Sequence, residues 1–126
     1  MSVVLDTSAL LAVIFDEPGG ERVAPLLGSA FVGAVNLAEA AAKLTEKGMP
    51  MGETSSLLLG LVPRAVPFDH SLALQSGILR SKTTRQGLSL GDRACLALAI
   101  SMDATAMTAD RVWADLDLPC KVEVIR

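Results

Sequence analysis

Asp6, Glu39, Asp92 and Asp110 each lie at or near a junction between a short apolar run and a stretch of helical length. Taken singly, Asp6, Asp92 and Asp110 read as helix caps, because a carboxylate accepts the unpaired amides of a first turn and favours its positive end. Glu39 resists that reading. Counting by threes and fours puts it on one helical face with Val35, Ala38 and Ala42, pointing inward among apolar residues. An inward carboxylate needs a partner, and no basic residue stands nearby on that face. A cation shared with the other acids supplies the missing charge. Converging carboxylates repel, and without such a cation some take up protons. All-oxygen ligation with no clustered His or Cys suits Mg²⁺, or Mn²⁺ in its place, and disfavours structural zinc. An ion of that kind activates a water and clamps a phosphodiester for in-line attack, with no side-chain nucleophile. Ser8 and Thr108 stand close to the first and fourth acids, where they can hydrogen-bond the carboxylates or the metal's waters, although capping and strand-end roles suit them equally. His70, the single histidine, reads as a helix-start residue rather than a base.

These acids need a scaffold that brings distant positions together. Val3-Val4-Leu5 reads as a strand ending at Asp6, and Thr7 to Phe15 has helical length. After the break at Pro18-Gly19-Gly20, a second helix runs through Leu26-Leu27 to Gly28. Ala30 to Val32 is a second strand, leading into a helix from about Val35 to Lys47. A Leu-rich helix over Gly52 to Leu61 precedes a third strand, Ala65 to Phe68, placed near a sheet edge by Pro67. Asp69 opens a long helix to about Thr84, and Asp92 opens another to about Met102. The strand Thr105 to Thr108, a short helix from Asp110 to Leu116 and a last strand from Lys121 to Ile125 complete the chain. Strands alternating with helices predict βαβ units, right-handed crossovers and a mainly parallel five-stranded sheet with helices on both faces. Such sheets bind ligands at the carboxyl ends of their strands, where all four acids can reach one pocket.

Composition narrows the function further. The 126 residues are 51% apolar and 20% charged, as in a packed domain, and a single domain over residues 1–126 is expected. No apolar stretch approaches the roughly 18 residues that cross a bilayer. The N-terminus has no basic lead, so a cytoplasmic location without membrane contact is expected. Cys95 and Cys120 read as reduced small hydrophobes. A net charge of −3 gives no general attraction for polyanions, so a nucleic-acid partner requires a local basic patch or a metal. With no Tyr, one Trp and three Phe, base stacking on aromatic platforms is disfavoured. Arg80, Lys82, Arg85 and Arg93 bracket the segment that delivers Asp92 and form a candidate phosphate-binding strip, which a solvated helix end explains almost as well.

The ordered motifs Val4-Leu5-Asp6-Thr7-Ser8-Ala9, Val35-Asn36-Leu37-Ala38-Glu39, Leu88 to Ala99 (LSLGDRACLALA) and Thr108-Ala109-Asp110-Arg111-Val112-Trp113 span nearly the whole chain. In them the sequence resembles PIN-domain ribonucleases, specifically the VapC-type toxins of type II toxin-antitoxin pairs. The resemblance implies a PIN-like three-layer sandwich with strand order 3-2-1-4-5. It implies Asp6, Glu39, Asp92 and Asp110 as the catalytic, magnesium-binding acids of an endoribonuclease, and Asp115 competes with Asp110 for the fourth place. It further implies a homodimer and a small VapB-type antitoxin whose C-terminal segment wraps the toxin. A guanidinium matches a carboxylate pair, so an Arg or Lys of that segment is expected to enter the acidic pocket. Leu10, Leu11, Ile14 and Phe15, with Leu57 and Leu58, are candidates for the accompanying apolar groove, and core packing is the competing reading for at least half of them. Two alternatives stay open: a receiver-like domain in which Asp6 accepts a phosphoryl group and Thr108 senses it, and a degenerate module that binds RNA or protein without catalysis.

Overall fold

The computed structural model describes residues 2–126. Strands β1 (Val3–Leu5), β2 (Phe31–Gly33), β3 (Arg64–Val66), β4 (Thr105–Thr108) and β5 (Val122–Val124) form one sheet in the order β3-β2-β1-β4-β5. Every neighbouring pair is parallel. Parallel neighbours need crossovers. Helices α1 (Thr7–Ile14) and α2 (Gly20–Val23) connect β1 to β2, and α3 (Ala34–Glu46) and α4 (Met51–Leu61) connect β2 to β3. Helices α5 (His70–Ile78), α6 (Arg80–Thr83) and α7 (Leu90–Met102) lead to β4. The expected sandwich and strand order are present. The order also removes the receiver-like alternative, because receivers are built 2-1-3-4-5.

The alternation of side chains along a strand divides the core into two layers. Val4 and Ala106 pack on one face with Leu96, Leu98 and Trp113. Leu5 and Met107 pack on the other with Leu10, Leu44 and Leu58. Helix α7 is covered on most of its surface, with Ala94 to Ala99 buried without interruption, which is why its sequence is a continuous apolar run. Leu10 and Leu58 are thus core residues rather than groove residues, while Leu11, Ile14, Phe15 and Leu57 are partly buried against that core. Both cysteines are free, Cys95 buried and Cys120 half-buried.

Several expected boundaries shift. The long helix predicted over residues 69–84 is interrupted between α5 and α6, where the Arg93 guanidinium draws on the Ser76 carbonyl. Asp69 caps α5 by accepting from the Leu72 amide, and His70 is its first, exposed residue. β3 ends at Val66, just before Pro67, which has no N–H to extend the ladder. The segment expected as one helix to Leu27 is α2 followed by a 3₁₀ turn over Ala24–Leu26, and the short helix after Asp110 is likewise a 3₁₀ turn, Arg111–Asp115.

Candidate active site

The centre of the sheet builds the site. β1 and β4 end side by side, with Leu5 paired to Met107, and the Asp6 amide donates to the Met107 carbonyl at 2.9 Å. Asp6 is therefore held at the carboxyl edge, 4% exposed. It occupies the N-cap position of α1, yet its side chain makes no capping bond. Its oxygens turn to side chains instead: Ser8 Oγ donates to Oδ2 at 2.7 Å and Thr108 Oγ1 donates to the same atom at 2.9 Å. Asn36 Nδ2 approaches Oδ1 at 3.4 Å. Burial pushes the Asp6 carboxyl up to about 6, with the Ser8 and Thr108 hydrogen bonds opposing the rise and the Asp92 charge adding to it.

Ser8 and Thr108 have a second duty. Ser8 Oγ accepts from the Ala109 amide at 2.9 Å, and Thr108 Oγ1 accepts from the Asp110 amide at 3.1 Å. The two hydroxyls fix the turn that carries Asp110 while they bind Asp6.

Glu39 is exposed rather than inward. The buried stripe of α3 runs through Asn36, Ala40 and Leu44, and Ala38 and Ala42 face solvent beside Glu39. Small alanines carry little information about which face is covered, so the helical count chose the neighbouring stripe. The Glu39 carboxylate is nevertheless fixed: Thr7 Oγ1 donates to Oε1 at 2.8 Å, Asn36 Nδ2 lies at 3.3 Å, and the carboxyl group rests against Gly91, where a Cβ would collide with it. Lys43, one turn further along α3, corrects the expectation that no base stands on this side.

Asn36 is the residue that the acids did not reveal. It is fully buried and donates to the Gly91 carbonyl at 3.1 Å as well as lying against Asp6, Thr7 and Glu39, so one amide ties α3 to α7 and to the end of β1. The signal available was a polar residue one turn before Glu39 on the same helix.

Asp92 and Asp110 do act as caps. The Ser89 amide donates to Asp92 Oδ2 at 2.9 Å and the Asp92 amide donates back to Ser89 Oγ at 3.2 Å, a closed capping box. Asp110 Oδ1 accepts from the Val112 amide at 3.0 Å. Each retains a second oxygen, and both line a cleft of about 440 Å³ with Asp6, Ser8, Glu39 and Lys43. All four acids thus share one opening. Asp115 does not join it and faces a separate depression.

The basic strip divides. Arg80, Lys82 and Arg85 are exposed, whereas Arg93 is 9% exposed and its Nη1 donates to the Ser76 carbonyl at 2.9 Å. Arg93 pins α7 to α5 and presents no free guanidinium to a phosphate.

Among the described residues no three acids close into a ready cage for an ion. The donors fit a hard divalent cation in kind: they are carboxylate and hydroxyl oxygens, and the most buried of them, Asp6, is held by neutral donors and has no cationic partner among the described residues. No helix among the described residues is long and apolar enough to cross a membrane.

Comparison with known proteins agrees with this geometry. The chain is similar in fold to VapBC2 from Rickettsia felis, a complex bound to a DNA fragment from its promoter, with 19% identity, a TM-score of 0.73 and 98% of each chain covered. It is similar to the DNA-bound VapBC of Salmonella typhimurium, with 18% identity, a TM-score of 0.72 and coverage of 98% and 97%. It also resembles VapC20 of Mycobacterium tuberculosis, a sarcin-ricin loop cleaving toxin, with 15% identity, a TM-score of 0.70 and coverage of 94% and 98%. No curated protein sequence matches the chain. The model of the PIN domain matches residues 3–118, and the chain belongs to the PIN domain family.

Proposed function

We propose that this protein is a Mg²⁺-dependent endoribonuclease that acts as the toxin of a type II toxin-antitoxin pair, its residues 1–126 working as one PIN domain. The observation that carries the reading is Asp6: a buried carboxylate at the foot of an acid-lined cleft, held by Ser8, Thr108 and Asn36 and left without a positive partner among the described residues. A helix cap needs no such environment. The solved structures of like fold include VapBC complexes and a toxin that cleaves the sarcin-ricin loop, which favours this reading over a non-catalytic module.

Asp6, Asp92, Asp110 and Glu39 would hold the ion, which when bound supplies a Lewis acid able to make water nucleophilic near neutral pH. Ser8 and Thr108 keep the Asp6 carboxylate aimed into the cleft. Asn36 and Gly91 keep Glu39 beside it. Arg85, with Arg80 and Lys82 further back, provides positive charge for the RNA backbone on an otherwise acidic molecule. A VapB-type antitoxin would inhibit by offering an Arg or Lys to the same carboxylates, and the active toxin would be a homodimer in the cytoplasm.

The test is incubation of the purified protein with total RNA, followed by mapping of new 5′ ends. Cleavage should stop in excess chelator and return with Mg²⁺ or Mn²⁺ but not with Ca²⁺, whose longer bonds and looser geometry suit in-line attack poorly. Undiminished cutting in chelator would overturn the metal-dependent reading.

A further inference from the structure

Arg85 and Gln86 stand on the loop that leads into the Ser89 cap and Asp92. Val112 and Asp115 stand on the 3₁₀ turn that Asp110 caps. These four residues line a depression of about 500 Å³. Val112 is two residues from Asp110, at most about 7 Å along the chain, and its amide donates to the Asp110 carboxylate, so the depression adjoins the acid cleft at Asp110.

The walls are chemically varied. Arg85 and Asp115 are both exposed, and neither takes part in an ion pair among the described residues. Gln86 Oε1 is buried and accepts no hydrogen bond among them, an unmet demand that leaves the amide with little reason to hold its present orientation. Val112 is 42% exposed and adds an apolar face. A guanidinium, a carboxylate, an amide and an aliphatic surface together match one nucleotide, which offers a phosphate, a polar base edge and a flat apolar face.

Resting on the ribonuclease reading, we propose that this depression is a subsite for the unpaired nucleotide beside the scissile phosphate. Arg85 holds its phosphate, and Asp115 with Gln86 reads a base that carries an amino group. A carboxylate only accepts hydrogen bonds, so it favours the amino groups of adenine, cytosine and guanine over uracil, whose single N3–H is flanked by two carbonyl oxygens that repel the carboxylate. Single-stranded RNA is commonly read along these base edges. Aromatic stacking is no competitor here, since the one tryptophan, Trp113, is fully buried.

The experiment titrates the intact, metal-free protein with AMP, CMP, GMP and UMP while backbone amide shifts are followed by NMR, and in parallel maps the cleavage sites in RNA. Shifts should centre on residues 85–89 and 111–116, with UMP binding about tenfold more weakly than the others, the scale of one base-edge hydrogen-bond pair. Asp115→Asn, an exposed change that leaves the fold intact, should erase or invert that discrimination, and Gln86→Ala should reduce it. Equal binding of all four nucleotides, shifts elsewhere, no binding, or a profile unmoved by Asp115→Asn would each overturn the subsite. Nucleotide selectivity without RNA cleavage would leave the subsite standing and defeat the ribonuclease reading. Cleavage with no preference that Asp115→Asn alters would do the reverse.

Discussion

The floor and the rim of the acid cleft hold their carboxylates in opposite ways. On the floor, Asp6 stands at the start of α1 but gives both oxygens to side chains and none to capping. On the rim, Asp92 and Asp110 stand at comparable starts and each spends one oxygen on a backbone amide. The same residue type at the same kind of position therefore carries different liabilities. A rim acid contributes to folding whether or not a ligand is present. The floor acid costs the protein stability when charged and repays nothing until a cation arrives.

The largest test of that contrast is Asp6→Asn. RNA cleavage should disappear, while the variant stays folded and, in chelator at neutral pH, becomes more stable than the parent. The folded protein holds the Asp6 proton more tightly than the unfolded chain, with a carboxyl at about 6 against an ordinary 3.8. Metal-free wild type should consequently lose stability as pH rises from about 4 through about 6, by up to about 3 kcal/mol, and Asp6→Asn should lack that slope. Denaturation midpoints across this pH range measure it. A variant that unfolds, or one whose slope persists, would place Asp6 among ordinary caps.

Asp92→Ala should move stability the other way. Loss of the Asp92 half of the capping box removes about 1 kcal/mol, lowering the melting temperature at neutral pH, and cleavage falls as well. Equal stability of this variant and its parent would show that the rim is held by something other than its caps.

Gly91→Ala should have the smallest effect on folding and a selective one on activity. The added methyl displaces the Glu39 carboxyl group, which can swing aside because it ends a flexible side chain. Helix propensity favours Ala by up to about 1 kcal/mol, so stability should hold or rise slightly while cleavage drops several-fold. Unchanged cleavage would show that Glu39 does not need its seat on α7.

The strands and the acids were legible because their signals are local. Val3-Val4-Leu5 before Asp6 and Thr105 to Thr108 before Asp110 announce two strand ends by composition alone, and the alternation of strands with helices carries the parallel arrangement. What the sequence concealed depends on contacts between distant segments. Asn36 gains its importance from Gly91 and Asp6, 55 and 30 residues away. Arg93 adjoins an acid of the cleft in sequence but points across α5, because its helix turns it from Asp92 and the Ser76 carbonyl receives it. Helical counting puts Glu39 on the wrong side of its helix because α3 offers alanines on both faces. The break after Ile78 was invisible for the reason that Arg93 was: its cause lies on another helix.

Helix α7 delivers Asp92 from a first turn in which Gly91 and Arg93 are already buried and then buries Ala94 to Ala99 between the sheet and α5. Its inner amides can exchange with water only when much of the molecule opens, and the five-residue turn behind Asp110 is anchored in the same core layer by the fully buried Trp113. The two acids thus stand at the starts of segments that are both fastened to one core layer. A ligand entering the cleft meets two walls that are set in advance.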